Sequence, residues 1–183
     1  MELQQLLKEC KRRSITAQKY LFDRYCNQFF LLCRRYMRTD EQAEEVLMTG
    51  FLKIFSSLDK FTYSNDAATI AWMQKLMVNE CLQELRKKNS FLIVAEEYAE
   101  EIQSGDDVLA SMAATEIYEL IMQLPIGYRT VFNLSVIEQM THKEIAMALN
   151  ISEGTSKSQL SKAKQMLQQM IEQKNLTRHA HSK

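Results

Sequence analysis

Between Leu149 and Leu167 the chain reads LNISEGTSKSQLSKAKQML. Wound as a helix, that stretch puts Lys157, Ser158, Ser161, Lys162, Lys164 and Gln165 on one side, clear of its apolar residues. These residue types suit a polyanion. A lysine ammonium gains free energy from phosphate contact because condensed counterions are released. Hydroxyl and amide groups bond to base edges, and glutamine pairs well with adenine in the major groove. Side chains near the start of such a helix reach deepest into the groove. The same residues also make an ordinary solvated surface, so two readings stand: a duplex-reading helix and a solvent-facing one.

Either reading needs the helix to be held. Leu160, Ala163, Leu167 and Met170 or Ile171 supply an apolar stripe on its other side. A preceding helix, HKEIAMAL, offers Ile145, Ala146 and Leu149 to meet that stripe. Thr141 and Glu144 have the spacing of a capping box at its start. Ser152 is placed to cap the second helix, and Ile151 plugs the turn between them. Two helices, a tight turn and a polar outer face make a helix-turn-helix pattern. His142 reads as an exposed residue near a helix start rather than a general base.

The rest of the chain is helical in pattern as well. With one Pro and four Gly in 183 residues, few positions interrupt helices, and alternating strand patterns are hard to find. MELQQLLKECKRR is amphipathic. From Ser14 to Met37, the residues Leu21, Tyr25, Phe29, Leu32 and Tyr36 recur at helical spacing. RTDEQAEEVLMTGFLKIFSSL is a second long helix, with Asp40 as N-cap and Val46, Leu47, Phe51, Ile54, Phe55 and Leu58 as its apolar face. After the turn DKFTYSND, a third runs from Ala67 to Lys88. Further helices are expected over Leu109 to Leu124 and from Pro125 to Gln139.

The net charge is zero, but it is unevenly spread. Residues 1–90 hold 15 basic and 11 acidic residues, residues 91–124 hold 8 acidic and no basic ones, and residues 125–183 hold 8 basic and 4 acidic. The fold class implied is all-α: two small helical domains at 1–90 and 109–176, an acidic linker at 91–108 and a frayed tail at 177–183. Two basic ends leave a nucleic-acid partner open.

Catalysis and metal binding find little support. Cys10, Cys26, Cys33 and Cys81 lack C-x-x-C spacing and read as reduced thiols. His142, His179 and His181 complete no ligand set. No phosphate loop or nucleophile elbow is present, so neither enzymatic activity, a cofactor nor a small-molecule substrate is expected. With no secretory signal and no apolar run of about 18 residues, the expected location is the cytoplasm.

The segment LPIGYRTVFNLSVIEQMTHKEIAMALNISEGTSKSQLSKAKQML, Leu124 to Leu167, resembles the C-terminal DNA-binding domain of extracytoplasmic-function (ECF) sigma factors of the sigma-70 family. The resemblance lies in its L-P-x-x-Y-R-x-V-F opening, its K-E-I-A helix and its I-S-E-G-T-x-K-S helix start. It implies a domain that reads the upstream (−35) promoter element. By position, Lys157, Ser158, Ser161 and Lys162 would touch DNA, with Lys164 beside them. Gln159 would do so where many members carry Arg.

The same family implies an N-terminal domain that binds core RNA polymerase and captures the downstream (−10) element. QAEEVLMTGFLKIFSSLDKF is similar to its polymerase-binding helix, which implies contacts from Glu45, Val46, Met48, Thr49, Phe51 and Leu52. The usual D-L-x-Q-E pattern is altered there: Met48 and Thr49 replace an amide and a carboxylate. Gly50 inside that helix costs roughly 1 kcal/mol relative to Ala. For Phe55, core packing is the preferred reading, and the same reading is open for Phe51.

IAWMQKLMVNECLQELRKK is similar to the helix that binds the downstream element, which implies roles for Trp72, Asn79, Arg86 and Lys87. The family's preceding loop captures a non-template-strand base, which implies roles for Tyr63 and Asn65 in the loop Phe61 to Ala68. Trp72 also fits burial between helices, and the Arg86–Lys88 cluster also fits a solvated helix end. Glu96, Glu97, Glu100, Glu101, Asp106 and Asp107 suit either a polyanion mimic inside the polymerase or a plain tether. The implied partners are core RNA polymerase, promoter DNA and an inhibitory anti-sigma factor. Two competing readings remain at this point: a helix-turn-helix regulator that never engages polymerase, and a sequestering interaction protein.

Overall fold

The computed structural model describes residues 2–87 and 114–181, all but 114–115 and 175–181 of them with side chains. The acidic linker expected at 91–108, Lys88 and the expected helix start at Leu109 lie outside the described residues. The chain divides into two compact units, Met1–Lys88 and Asn89–Lys183. The fold is all-α, and no strand occurs among the described residues.

The first unit holds α1 (Leu3–Lys11), α2 (Ile15–Arg34), α3 (Asp40–Ser57) and α4 (Asp66–Lys87), with a 3-10 turn at Leu58–Lys60 after α3. Helix α1 buries Leu3, Leu6, Leu7 and Cys10, one stripe at helical spacing. Burial, with the Glu9 charge adding to it, pushes the Cys10 thiol up to about 11. Helix α2 starts at Ser14, whose hydroxyl accepts from the Ala17 N–H at 3.3 Å. Thr39, rather than Asp40, caps α3: its Oγ1 accepts from the Gln42 N–H at 3.3 Å. Asp40 is instead the first helical residue, and it pairs with Arg34 at 2.7 Å across the α2–α3 turn.

Helix α3 packs against both α2 and α4. Two neighbours bury a wide face: Ala43, Val46, Leu47, Gly50, Phe51 and Ile54. Phe51 sits among Phe22, Phe29 and Phe55, with ring centroids 4.7, 5.7 and 6.0 Å away. Gly50 allows α4 to come close, since a Cβ there would lie 2.1 Å from Met77 Sδ.

Gly50→Ala gains about 1 kcal/mol of helix propensity but evicts a fully buried Met77, and overpacking costs about 1–3 kcal/mol. Urea unfolding is expected to show a net loss of about 1 kcal/mol. In a Met77→Ala background the same change is expected to stabilise, because only the propensity gain is left. Equal effects in both backgrounds would rule out the clash.

The second unit holds α5 (Ala114–Gln123), α6 (Ile126–Phe132) running into a π-helical turn (Asn133–Ile137), α7 (His142–Leu149) and α8 (Glu153–His181). Its core joins Leu120, Ile121, Leu124 and Phe132 to Ala163, Leu167 and Ile171. Pro125 precedes α6 instead of opening it, its ψ of 143° being extended. Arg129 is buried and donates to the Met122 carbonyl at 2.9 Å, which closes the end of α5.

The single helix expected up to Gln139 is divided. Its last part widens into the π turn and stops at Gln139, whose φ is +55°. At the other extreme, α8 continues to His181 through most of the expected frayed tail. No Gly or Pro follows Gly154 in the sequence, so nothing in it breaks the helix.

Candidate nucleic-acid interface

The helix-turn-helix is built from local signals. Thr141 Oγ1 accepts from the Glu144 N–H at 3.3 Å, and Glu144 Oε2 accepts from the Thr141 N–H at 2.8 Å, a complete capping box. Asn150 ends α7 in the left-handed region, with φ 55° and ψ 48°, a conformation that asparagine tolerates well. The Ile151 N–H then donates to the Ala146 carbonyl. Ser152 Oγ accepts from the Thr155 N–H at 2.9 Å and so caps α8.

Helices α5, α6 and α7 all pack on α8, and that decides which of its polar residues face out. Lys157 and Gln165 are exposed, whereas Ser158, Ser161, Lys162 and Lys164 are half-buried. Ser158 Oγ donates to the Thr155 carbonyl at 3.0 Å. Gln159 corrects the expectation: it is 4% exposed, and its Oε1 is buried with no hydrogen-bond partner among the described residues. It sits four residues before Ala163, on the row that three neighbouring helices cover. It is unavailable to DNA in this arrangement.

One residue of this motif escaped the sequence reading. Ser156 is fully buried and lies 2.9 Å from His142 Nδ1, joining the two helices of the motif. His142 is therefore half-buried and bonded, not an exposed helix-start residue. The signal for Ser156 was its spacing of four and seven residues from Leu160 and Ala163.

In the first unit, α4 carries the residues implied for the downstream element. Trp72, Asn79 and Arg86 recur every seven residues and so share one face, over about 21 Å of helix. Asn79, Arg86 and Lys87 are exposed, and Lys75 and Gln83 join them on the same helix. Lys87 also pairs with Glu84 at 3.6 Å. Trp72 is half-buried and stacks on Phe61, with centroids 4.1 Å apart and planes 21° apart.

The loop before α4 is tied down. Asn65 Oδ1 accepts from the Ala68 N–H at 2.8 Å and caps the helix, leaving its amide N–H groups to donate elsewhere. Tyr63 Oη donates to Asp66 Oδ1 at 2.7 Å. That bond, first among its causes, holds the Tyr63 phenol above its usual value, so it stays protonated.

Helix α3 sorts its six implied residues by face. Glu45, Met48, Thr49 and Leu52 are exposed, Met48 by 53% and Leu52 by 68%. Val46 and Phe51 are buried, at 5% and 2%, and are corrected to core residues because α2 and α4 cover that side. Thr49 Oγ1 donates to the Glu45 carbonyl at 2.9 Å.

Among the described residues no cluster of His, Cys, Asp and Glu is placed to hold a metal ion. No helix there is long and apolar enough to cross a membrane. Cys33 and Cys81 are buried, and burial holds the Cys81 thiol well above its usual value.

Comparison with known proteins agrees with this layout. The family model for sigma-70 region 2 matches residues 21–91, and the model for sigma-70 region 4 matches residues 114–167. ECF RNA polymerase sigma factor SigW of Bacillus subtilis is 24% identical over 93% of this chain and 97% of its own length. ECF RNA polymerase sigma factor SigM of Mycobacterium tuberculosis is 26% identical over 86% of this chain and 80% of its own length. RNA polymerase sigma-H factor of Pseudomonas aeruginosa is 23% identical, with coverage of 92% and 93%. With both region models in order on an all-α chain, this protein belongs to the sigma-70 family, in its ECF group.

Proposed function

We propose that this chain is a transcription-initiation factor that brings core RNA polymerase to specific promoters, with each unit reading one promoter element. It works by binding energy rather than by catalysis. In the second unit, α8 enters the major groove of the upstream element. Lys157, Lys162 and Lys164 meet phosphates there, and Ser158 and Ser161 lie toward the bases. In the first unit, Trp72, Tyr63 and Asn65 hold an unpaired base of the downstream element. Stacking on an aromatic side chain contributes roughly 1–3 kcal/mol per base. Asn79, Arg86 and Lys87 follow the strand along α4.

The outer face of α3, with Glu45, Met48, Thr49 and Leu52, docks on core polymerase. Exposed Met48 stands there in place of an amide, and exposed Leu52 adds a second apolar contact at that surface. The protein acts in the cytoplasm, and an anti-sigma factor is its natural inhibitor. Residues 91–108 join the two reading units.

The observation that carries this reading is the cationic outer side of α8 above an inner stripe of Ala163, Leu167 and Ile171, in a chain matched by both sigma-70 regions. The test is run-off transcription from a random promoter library, with the chain reconstituted on core polymerase. Transcripts starting at a fixed distance from one enriched pair of elements are expected. DNA binding without such transcripts would favour the regulator that stays apart from polymerase.

A further inference from the structure

We propose that α1 is a positioning element for base capture, acting through Lys11. The inference rests on the reading of Trp72 and the 61–65 loop as the site that holds an unpaired base. Helix α1 precedes the segment matched by the sigma-70 region 2 model, which begins at residue 21. It is nevertheless firmly seated: Leu3, Leu6, Leu7 and Cys10 are at most 2% exposed. The helix packs on α2 and on the 3-10 turn at 58–60. At its last residue Lys11 Nζ donates to the Phe61 carbonyl at 2.7 Å, across fifty positions of sequence.

Phe61 is then fixed at three points. Its N–H donates to the Leu58 carbonyl, its carbonyl accepts from Lys11, and its ring stacks on Trp72. The indole that would support a base therefore stands on a side chain whose backbone is clamped from α1. A loop already ordered loses less entropy when it binds a single strand. Lys11 is a positioning residue: it need not touch DNA to matter.

Trp72 is the one tryptophan in the chain, so intrinsic fluorescence of this chain reports this stack directly. Four variants suffice: Lys11→Met, which removes the donor; Lys11→Arg, which keeps one; Lys8→Met, which removes the same charge from an exposed position of the same helix; and Trp72→Ala, which removes the indole. Acrylamide quenching of Trp72 is measured on the free chain. Binding of a single-stranded downstream-element oligonucleotide is measured on the complex with core polymerase.

Lys11→Met is expected to raise quenching of Trp72 and to weaken single-strand binding by about three- to tenfold, the range for one lost hydrogen bond. Core-polymerase affinity and duplex binding to the upstream element stay unchanged. Lys11→Arg restores both readouts, and Lys8→Met alters neither. Unchanged quenching in Lys11→Met overturns the clamp, and so does an equal binding loss in Lys8→Met. Unaltered strand binding by Trp72→Ala would instead overturn the base-capture reading, and the proposal with it.

Discussion

Phe51→Ala is expected to cut the stability of the first unit by about 3–5 kcal/mol, while Leu52→Asp, one residue on, leaves it folded and silences promoter-specific transcription. The two side chains leave the same turn of α3 about 100° apart, which is enough to put one in the core and the other on the surface. Phe51 is 2% exposed and Leu52 68%. Phe51 touches three other rings, so its loss empties the middle of an aromatic cluster. Against a typical total of about 5–15 kcal/mol, that leaves a marginal fold.

Surface changes such as Leu52→Asp usually stay within about 0.5 kcal/mol of neutral. At a docking surface, however, burying an aspartate in place of an apolar contact costs about 2 kcal/mol or more, some thirtyfold in affinity. Urea unfolding and core-polymerase binding, measured on both variants, separate the two effects. Normal polymerase binding by Leu52→Asp would remove the outer face of α3 from the interface. Normal stability of Phe51→Ala would contradict its place in the core.

That pair also marks how far sequence alone reaches. Two helix starts were legible because their chemistry is local: the Thr141–Glu144 box and Ser152 cap the helices they precede, whereas at α3 the cap is Thr39 and not Asp40. The apolar stripe of α8 was legible from its spacing. The width of a buried face was not, because it depends on how many neighbours a helix acquires. Helix α3 has α2 on one side and α4 on the other, so Val46 and Phe51, which spacing put on its apolar face and resemblance put in the polymerase contact, are both buried.

Helix α8 has α5, α6 and α7, which draw in Ser156 and Gln159. The burial of Ser156 and Gln159 has that one cause. Gly50 shows the converse. Read alone it is a weak point in a helix, but in the fold it is the gap that admits Met77. The bond between His142 and Ser156 joins residues fourteen apart, and no local pattern announces it.

The same sorting gives the last expectation, on α8. Lys157→Ala is expected to weaken duplex binding by roughly tenfold at about 0.1 M salt, because one fewer counterion is released. The loss falls almost equally on matched and mismatched promoters, and the slope of log affinity against log salt becomes shallower by about one. Stability of the second unit stays unchanged, since Lys157 is exposed. Gln159→Leu is expected to behave in the opposite way. Gln159 Oε1 is buried without a partner among the described residues, so an apolar side chain of similar size removes a desolvation cost of about 1–3 kcal/mol. Unfolding should show a unit at least as stable as before, with promoter preference intact. A shift in base preference on Gln159→Leu would mean that α8 turns on binding and brings Gln159 to the groove, where family position had put it. A Lys157→Ala variant with an undiminished salt slope would take the cationic side of α8 off the DNA altogether.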